Sequence, residues 1–341
     1  MTRRNRLITL VVSVVALLAL LLVFVTSRGG SDFSGPGSGE AVVIVVRGDS
    51  LSGIANTLVA AGVVASDTAF LDAAKSNDKA QTIGPGRYTL RQQMSGEGAL
   101  ELMLDPKSRA DSRLVLPEGL RLSQSIDASS EATGIPKEAF DDALAEPESL
   151  GIPAWAGDMP EGLLFPASYD LAGDETASAV LKMLVERFNQ ESRDLDLESR
   201  SAAQQLDPYS VVIIASMIQA EGHPADYAKV ARVIYNRLDA DMPLQLDSTV
   251  AYGLGITQIS LTADQLKSDT PYNTYVNRGL PPTPINSPGT AAIEAALAPA
   301  KGRWLYFVTV NPDTGETRFA RNYQKFLRDK AVLQEYLRNQ G

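Results

Sequence analysis

Glu221 is the residue in this sequence best placed for acid–base chemistry. It ends the nearly continuous apolar run SVVIIASMIQAE, and Gly222 follows it. A carboxylate at the end of an apolar helix is costly unless it is paired or used. The negative end of the helix dipole and the apolar surroundings both disfavour ionisation, so a raised pKa is expected. Such a carboxyl group stays protonated near neutral pH and suits a general acid. The structural alternative is a glutamate that reaches solvent past the last helical turn.

Two later stretches have the composition of a sugar-binding surface. They read PLQLDSTVAYG (residues 243–253) and TPYNTYVNRGLPPTP (residues 270–284). Stiff loops that carry aromatic rings and amide groups suit sugar rings, because rigid placement lowers the entropy cost of binding. A proline-stiffened loop with a purely structural role is the alternative. Asp247 is the only acid in these stretches near Glu221, and it is expected to cap a helix that STVAYG begins.

Composition excludes several classes of site. The chain has no cysteine, and His223 is its only histidine. Thiolate nucleophiles, cysteine metal sites and a two-histidine zinc site within one chain are therefore excluded, and no metal or other cofactor is expected. The net charge of −10 argues against nucleic acid as a partner. A content of 44% hydrophobic and 21% charged residues is that of an ordinary globular protein.

Residues 205–341, which carry these candidates, are predicted to form helices around one hairpin, an α+β domain. Asp207 followed by Pro208 is a strong helix start. The segments WLYFVTV and ETRFARN, joined by NPDTG, predict the β-hairpin. Further helices are predicted from Pro224 to before Pro243, from Thr262, from Ser287-Pro288 to about Ala298, and over residues 323–339.

Two segments precede this domain. Residues 41–105 are predicted to form a small α/β module, with a strand AVVIVV, Ser50 as a helix cap, a second helix from about Ser66, a strand Arg87–Leu90 and a third helix. Residues 113–200 are predicted to form a middle α/β segment that ends in an amphipathic helix with Val180, Leu184 and Phe188 on one face.

The N-terminus carries a candidate membrane anchor. Residues 7–26 form an uncharged run of about 20 residues, which is the length of a transmembrane helix. Three arginines precede the run, so residues 1–6 are expected in the cytoplasm and the rest outside it. A cleaved signal peptide is less favoured, because the run is long and no A-x-A site follows it. The transmembrane segment is placed at residues 7–27, and the Gly/Ser-rich residues 28–40 are predicted to be a linker.

Several short motifs in one order resemble the endolytic murein transglycosylase family (MltG, YceG-like). They are ASMIQAEG, ARVIYNRL, LQLDSTVAYG, TPYNTY, GLPPTPINSPG and WLYFV, and EGLLFPASYDL extends the likeness upstream. The opening VVRGDSLSGIANTLVAAGVV resembles a LysM-like module, with a simple spacer as the alternative. The resemblance implies a membrane anchor, a LysM-like module and a lysozyme-like, mainly helical catalytic domain that acts on nascent peptidoglycan. It places the catalytic glutamate at Glu221. Gln219 stands where many relatives have an acid, and Arg318 stands where many have histidine.

The resemblance implies a lytic cleavage of the β-1,4 bond between N-acetylmuramic acid and N-acetylglucosamine, with a 1,6-anhydro product and a role in setting glycan length. Contacts to the sugars are expected from Gln245, Ser248, Tyr272, Asn273 and Tyr275. The expected partners are peptidoglycan glycan strands, together with cell-wall synthases or division proteins. Two alternatives stay open: a muramidase that uses Asp247 as its second carboxylate, and a non-catalytic glycan-binding scaffold.

Overall fold

The computed structural model describes residues 32–46, 48–110, 113–257 and 261–340. The predicted cytoplasmic stub and transmembrane segment, residues 1–6 and 7–27, lie outside these ranges. Within them, no helix combines the length and the apolar character that crossing a membrane requires. The described chain is a mixture of helices and short strands, as predicted, and it divides into two units.

The first unit contains the described residues up to Arg113 and the return segment Asp170–Glu175. Its elements are β1 (Pro36–Val45), α1 (Leu51–Ala60), α2 (Asp67–Lys75), β2 (Gly86–Met94), α3 (Gly96–Leu104) and β3 (Arg109–Ala110). The strands form one antiparallel sheet in the order β1-β2-β3. Ser50 caps α1 as predicted, and Ser66 caps α2, whose start near this residue was predicted; each hydroxyl accepts a hydrogen bond from the backbone N–H three residues later.

Strand β1 starts inside the predicted linker. Residues 36–40 belong to β1, so the strand begins at Pro36 rather than at Ala41. Gly37 has a φ of +70°, and a Cβ at this position would lie 2.4 Å from the carbonyl oxygen of Gln92. The glycines of this run therefore permit a close approach to β2, with a register shift between Ser38 and Ala41.

The second unit contains Leu114–Tyr169 and Thr176–Gly341 and thus joins most of the predicted middle segment to the predicted catalytic domain. A short strand β4 (Arg113–Val115) pairs with β5 (Ser168–Asp170). The helices that follow β4 are α4 (Leu122–Thr133), α5 (Lys137–Leu144), α6 (Ala177–Asp194), α7 (Leu197–Ala203), α8 (Pro208–Glu221), α9 (Tyr227–Asp239), α10 (Asp247–Gly253) and α11 (Thr290–Leu297). The chain ends with the hairpin β6 (Tyr306–Asn311) and β7 (Glu316–Ala320) and the helix α12 (Tyr323–Gln340).

Helix α8 is the centre of the second unit. Every residue from Val211 to Ile218 is buried, and the helix packs against α9 and α11. The Asp207 side chain accepts a hydrogen bond from Ser210 N at 2.9 Å, and Pro208 occupies the first turn, as the sequence predicted. A helix that is apolar all round needs such a buried position.

Two predicted helix starts differ from the structure. Only a 3₁₀ turn, Gln265–Lys267, follows Thr262. Thr262 and Gln265 do exchange the hydrogen bonds of a capping box, but Pro271 disfavours helical backbone in the residue before it. Helix α11 starts at Thr290 rather than at Ser287, because both backbone groups of Ser287 are bonded to the Gly119–Leu120 segment.

Candidate active site

A cavity of about 960 Å³ opens in the second unit. Its walls come from the turn before α4, the end of α8, the start of α10, the strand β6 and one face of α12. Four of the predicted site residues line it: Glu221, Gln245, Ser248 and Tyr275. Asp247 lines it as well. Residues separated by more than fifty positions in the sequence are therefore brought to one concave surface.

Glu221 reaches this cavity because α8 ends at it. The N–H of Gly222 still bonds to the carbonyl of Ile218 at 3.0 Å, and the backbone of Gly222 is then extended. A Cβ at Gly222 would lie 2.8 Å from the ring of Tyr227, so a larger residue would disturb this turn. The rigid, buried helix thus fixes the position of the carboxyl group at the cavity wall.

The Glu221 carboxyl group is half-buried, and Ser248 donates hydrogen bonds to it. The hydroxyl of Ser248 donates at 2.6 Å and its backbone N–H at 3.2 Å, both to Oε1. Burial raises the pKa of Glu221 above the usual glutamate value; the two Ser248 donors lower it, and the charge of Asp247 raises it. Burial is the largest effect, so the pKa is raised overall and the protonated acid is favoured.

Asp247 does not cap α10, contrary to the prediction. The N-cap residue is Leu246, whose side chain makes no capping hydrogen bond, and Asp247 is the first residue of the helix. The Asp247 carboxylate instead accepts a hydrogen bond from the hydroxyl of Tyr275. Burial and this carboxylate together raise the pKa of Tyr275, so the phenol stays a proton donor to Asp247.

Gln245 is exposed between the buried residues Leu244 and Leu246 and lines the cavity. Its backbone has a φ of +52°, a conformation that non-glycine residues rarely adopt. Thr274 holds the segment in place: its carbonyl accepts from Gln245 N at 3.0 Å and its hydroxyl from Leu246 N at 3.0 Å. The loop around residues 270–277 therefore positions the α10 segment.

Tyr272 and Asn273, both predicted to contact sugar, do not line the cavity. The ring of Tyr272 packs on that of Tyr252 at 4.8 Å, and its hydroxyl bonds to Thr283 at 2.9 Å. Asn273 has no exposed surface. Its amide nitrogen donates to the carbonyls of Leu266 and Ser268, and its amide oxygen accepts from Tyr275 N. We therefore assign Asn273 to the structure of the loop rather than to substrate.

Part of the cavity wall was not predicted from the sequence. Glu118 and Arg121 of the PEGLR turn line the cavity, as do the aromatic residues of β6 and α12, and none of them was assigned a site role. The spacing of Tyr323, Phe326, Lys330 and Leu333 along one face of α12 was the available signal, since residues three and four apart share a helix face. Within the described ranges, no three acidic or histidine side chains are grouped so that they could bind a metal ion.

Gln219 and Arg318 both make polar contacts with neighbouring residues. Gln219 donates to the Tyr227 hydroxyl at 2.9 Å and accepts from Gly289 N at 3.1 Å. Arg318, on β7, pairs with Glu316 at 2.9 Å and lies 3.9 Å from Asp329. Gln219 thus joins α8 to α9 and α11 through neutral hydrogen bonds, and Arg318 belongs to an ion-pair network on the hairpin.

Comparisons with known proteins extend over most of the chain. A protein of Bacillus subtilis (strain 168) named endolytic murein transglycosylase is 29% identical over 297 residues, which are 82% of this chain and 81% of that protein. One of the same name from Streptococcus pneumoniae is 28% identical, and the alignment spans 84% of this chain but 57% of the relative.

A solved structure also matches. The crystal structure of a yceG-like protein from Listeria monocytogenes has a TM-score of 0.59 and 28% identity, and the match covers 86% of this chain and 99% of that one. The profile of the YceG-like family matches residues 43–332, so this chain belongs to the YceG-like family.

Proposed function

We propose that this protein is a peptidoglycan lytic transglycosylase and that Glu221 is its single catalytic acid and base. The observation that carries the proposal is a carboxyl group with a raised pKa, fixed at the end of a buried helix and open to a large cavity. The relatives named endolytic murein transglycosylase support the same reaction and the same substrate. Carboxyl groups tuned in this way are the usual acids of glycosidic bond cleavage.

Protonated Glu221 gives its proton to the oxygen of the β-1,4 bond as the bond from C1 of N-acetylmuramic acid breaks. The N-acetyl group of the same sugar assists at C1. The Glu221 carboxylate then takes the proton of the C6 hydroxyl while O6 forms a new bond to C1. The product is a 1,6-anhydro end, the carboxyl group is protonated again, and no water is consumed.

Asp247 fits a supporting role in this scheme. Its carboxylate accepts the Tyr275 hydroxyl, and its charge raises the pKa of Glu221. Its place in the same cavity also keeps the second candidate open, a muramidase with Asp247 as base or nucleophile. Mass spectrometry of digested peptidoglycan separates the two, because lytic cleavage leaves anhydro ends and hydrolysis leaves reducing ends.

The Ser248→Ala change is expected to move the alkaline limb of the pH–rate profile to higher pH. The Ser248 hydroxyl stabilises the ionised carboxylate, so its loss raises the pKa of Glu221 further. The protonated acid then persists to higher pH. The measurement is kcat/KM on uncrosslinked glycan as a function of pH. Ser248→Thr keeps the hydroxyl and should keep the wild-type limb; an unmoved limb in Ser248→Ala would contradict this role.

We propose that residues 7–27 anchor the protein in the cell membrane with residues 1–6 in the cytoplasm, so that the enzyme acts on nascent strands and sets their length. The first unit orders its elements β1, α1, α2, β2, with the strands antiparallel, and this order supports a LysM-like glycan-binding role. Cell-wall synthases or division proteins are the proposed partners.

Replacing every residue from Val15 to Leu22 with serine is expected to release the protein from the membrane or to block its export. The apolar runs left on either side are too short to span a bilayer. The matched control replaces the same segment with leucine, which keeps it apolar. Fractionation with alkaline extraction measures the result, and a serine variant that remains an integral membrane protein would contradict the anchor.

A further inference from the structure

Helix α12 turns one face of its surface towards the cavity. Tyr323, Phe326, Lys330 and Leu333 all line it, at spacings of three and four residues. The neighbouring Asp329 faces elsewhere: it accepts from Lys325 at 2.6 Å and lies 3.9 Å from Arg318 on β7. The helix therefore offers a mixed aromatic and cationic stripe to whatever fills the cavity.

An open aromatic cluster lies at the start of this stripe. The ring of Tyr306, from β6, stacks on that of Phe326 at 5.4 Å, and the ring of Tyr323 is 5.8 Å from both. Tyr323 nevertheless remains 54% exposed. Aromatic rings with an open face pack well against the apolar faces of other rings, and they bring little conformational entropy to lose.

Among the described residues that line the cavity, Lys330 is the cation that is free to meet a ligand. Arg237 donates to three backbone carbonyls, and Arg121 donates to the carbonyl of Ile256 and lies over the ring of Tyr252. Lys330 has neither an ion pair nor a hydrogen bond to any other residue in the described part of the chain, and it is exposed. The other charged groups that line the cavity are the acids Glu118, Glu221 and Asp247.

We propose that the α12 stripe is a subsite for a negatively charged muramyl unit, in which the aromatic cluster packs on a sugar ring and Lys330 pairs with a carboxylate. This subsite rests on the proposed function. Muramic acid carries a lactyl group whose carboxylate is free in naked glycan and amide-linked in peptide-bearing glycan, where the stem peptide supplies its own carboxylates. A neutral saccharide would leave the lysine without a partner in an acidic protein.

The test measures the affinity of the full chain for three glycans of equal length. They are peptide-bearing glycan, naked glycan, and naked glycan whose lactyl carboxylates have been converted to methylamides. All proteins carry Glu221→Gln, so that the glycan is not cleaved during the measurement. Lys330→Gln is compared with Lys330→Arg, which restores the charge, and with Arg328→Gln, which removes one positive charge from an exposed position of the same helix outside the cavity.

Lys330→Gln is expected to weaken binding of a charged glycan about 2- to 5-fold at low salt, and less at high salt. Lys330→Arg and Arg328→Gln should bind as the parent protein does. A loss with naked glycan identifies the lactyl carboxylate, and a loss with peptide-bearing glycan identifies the stem peptide. Tyr323→Leu should weaken the binding of all three glycans, including the neutral one, by roughly 2- to 12-fold.

Several results would overturn the subsite. They are an unchanged affinity of Lys330→Gln for both charged glycans, an equal loss for the neutral glycan, or no measurable binding of any glycan. The wild-type protein provides a separate test of the reaction, through its products. Binding that depends on Lys330 without anhydro products from the wild type would overturn the lytic reaction and leave the subsite standing. If the wild type forms anhydro products but Lys330→Gln does not change the affinity for glycan, the subsite is overturned and the lytic reaction stands.

Discussion

The Glu221→Gln protein is expected to release anhydro-muropeptides at least about 10²- to 10⁴-fold more slowly than the wild type, the range typical of lost general acid–base catalysis. Glutamine keeps the shape of the side chain, and its amide oxygen can still accept from Ser248, but it cannot transfer a proton. Initial rates on uncrosslinked glycan, with products identified by mass spectrometry, measure the loss. Near wild-type release would refute both the role of Glu221 and the lytic assignment.

Asp247→Asn is the matched control for this experiment. Asparagine keeps an oxygen that can accept the Tyr275 hydroxyl, while the negative charge is lost. Under the lytic mechanism the rate should fall much less than in Glu221→Gln. The loss of the charge should also lower the pKa of Glu221 and move the alkaline limb to lower pH, opposite to Ser248→Ala. A loss as large as that of Glu221→Gln, with reducing ends in the wild-type digest, would favour the muramidase.

The stability of the Glu221→Gln protein separates catalysis from folding. Because burial raises the pKa of Glu221, the folded chain binds more protons than the unfolded chain as pH rises above the unfolded-state pKa. The protonated carboxyl group therefore contributes fully to the free energy of unfolding below the unfolded-state pKa. This contribution is lost as pH rises through the folded-state pKa. Glutamine does not titrate, so at neutral pH the variant should be at least as stable as the wild type.

Local chemistry made much of the fold and the position of Glu221 predictable. Serine and aspartate caps accept hydrogen bonds from nearby backbone groups, so Ser50, Ser66 and Asp207 marked helix starts without knowledge of the rest of the chain. The apolar run that stops at Gly222 placed Glu221 at a helix end. Its raised pKa follows from that burial and could be predicted in direction.

The partners of individual polar side chains were not predictable in the same way. The sequence does not indicate that the Tyr275 hydroxyl donates a hydrogen bond to Asp247. It also does not indicate that the amide nitrogen of Asn273 donates to carbonyls five and seven residues away. The spacing of residues along α12 predicts that the stripe shares one face of the helix, but it does not predict that this face lines the cavity. Side-chain types suited to sugar can equally build a loop, and only their partners decide which role they take.

Arg237→Met is expected to lower the free energy of unfolding of the second unit by about 2–5 kcal/mol. The buried guanidinium donates to Leu305 O at 2.7 Å, to Leu244 O at 2.5 Å and to Pro243 O at 3.3 Å. Leu305 and Leu244 directly precede Tyr306 and Gln245, which line the cavity, so Arg237 connects two cavity walls. Methionine fills a similar volume but leaves the carbonyl oxygens without this donor, and an unsatisfied buried acceptor costs about 1–3 kcal/mol.

Urea unfolding followed by tryptophan fluorescence measures this effect on the second unit alone, because Trp155 and Trp304 are the only two tryptophans of the chain and both belong to that unit. Arg232→Met is the matched control on the same helix, since Arg232 donates a hydrogen bond to Ala300 O at 2.6 Å, away from the cavity. It should cost about 1 kcal/mol. Equal urea midpoints for the Arg237→Met and Arg232→Met proteins would show that the carbonyls of the cavity walls find other donors, and that Arg237 does not hold the walls together.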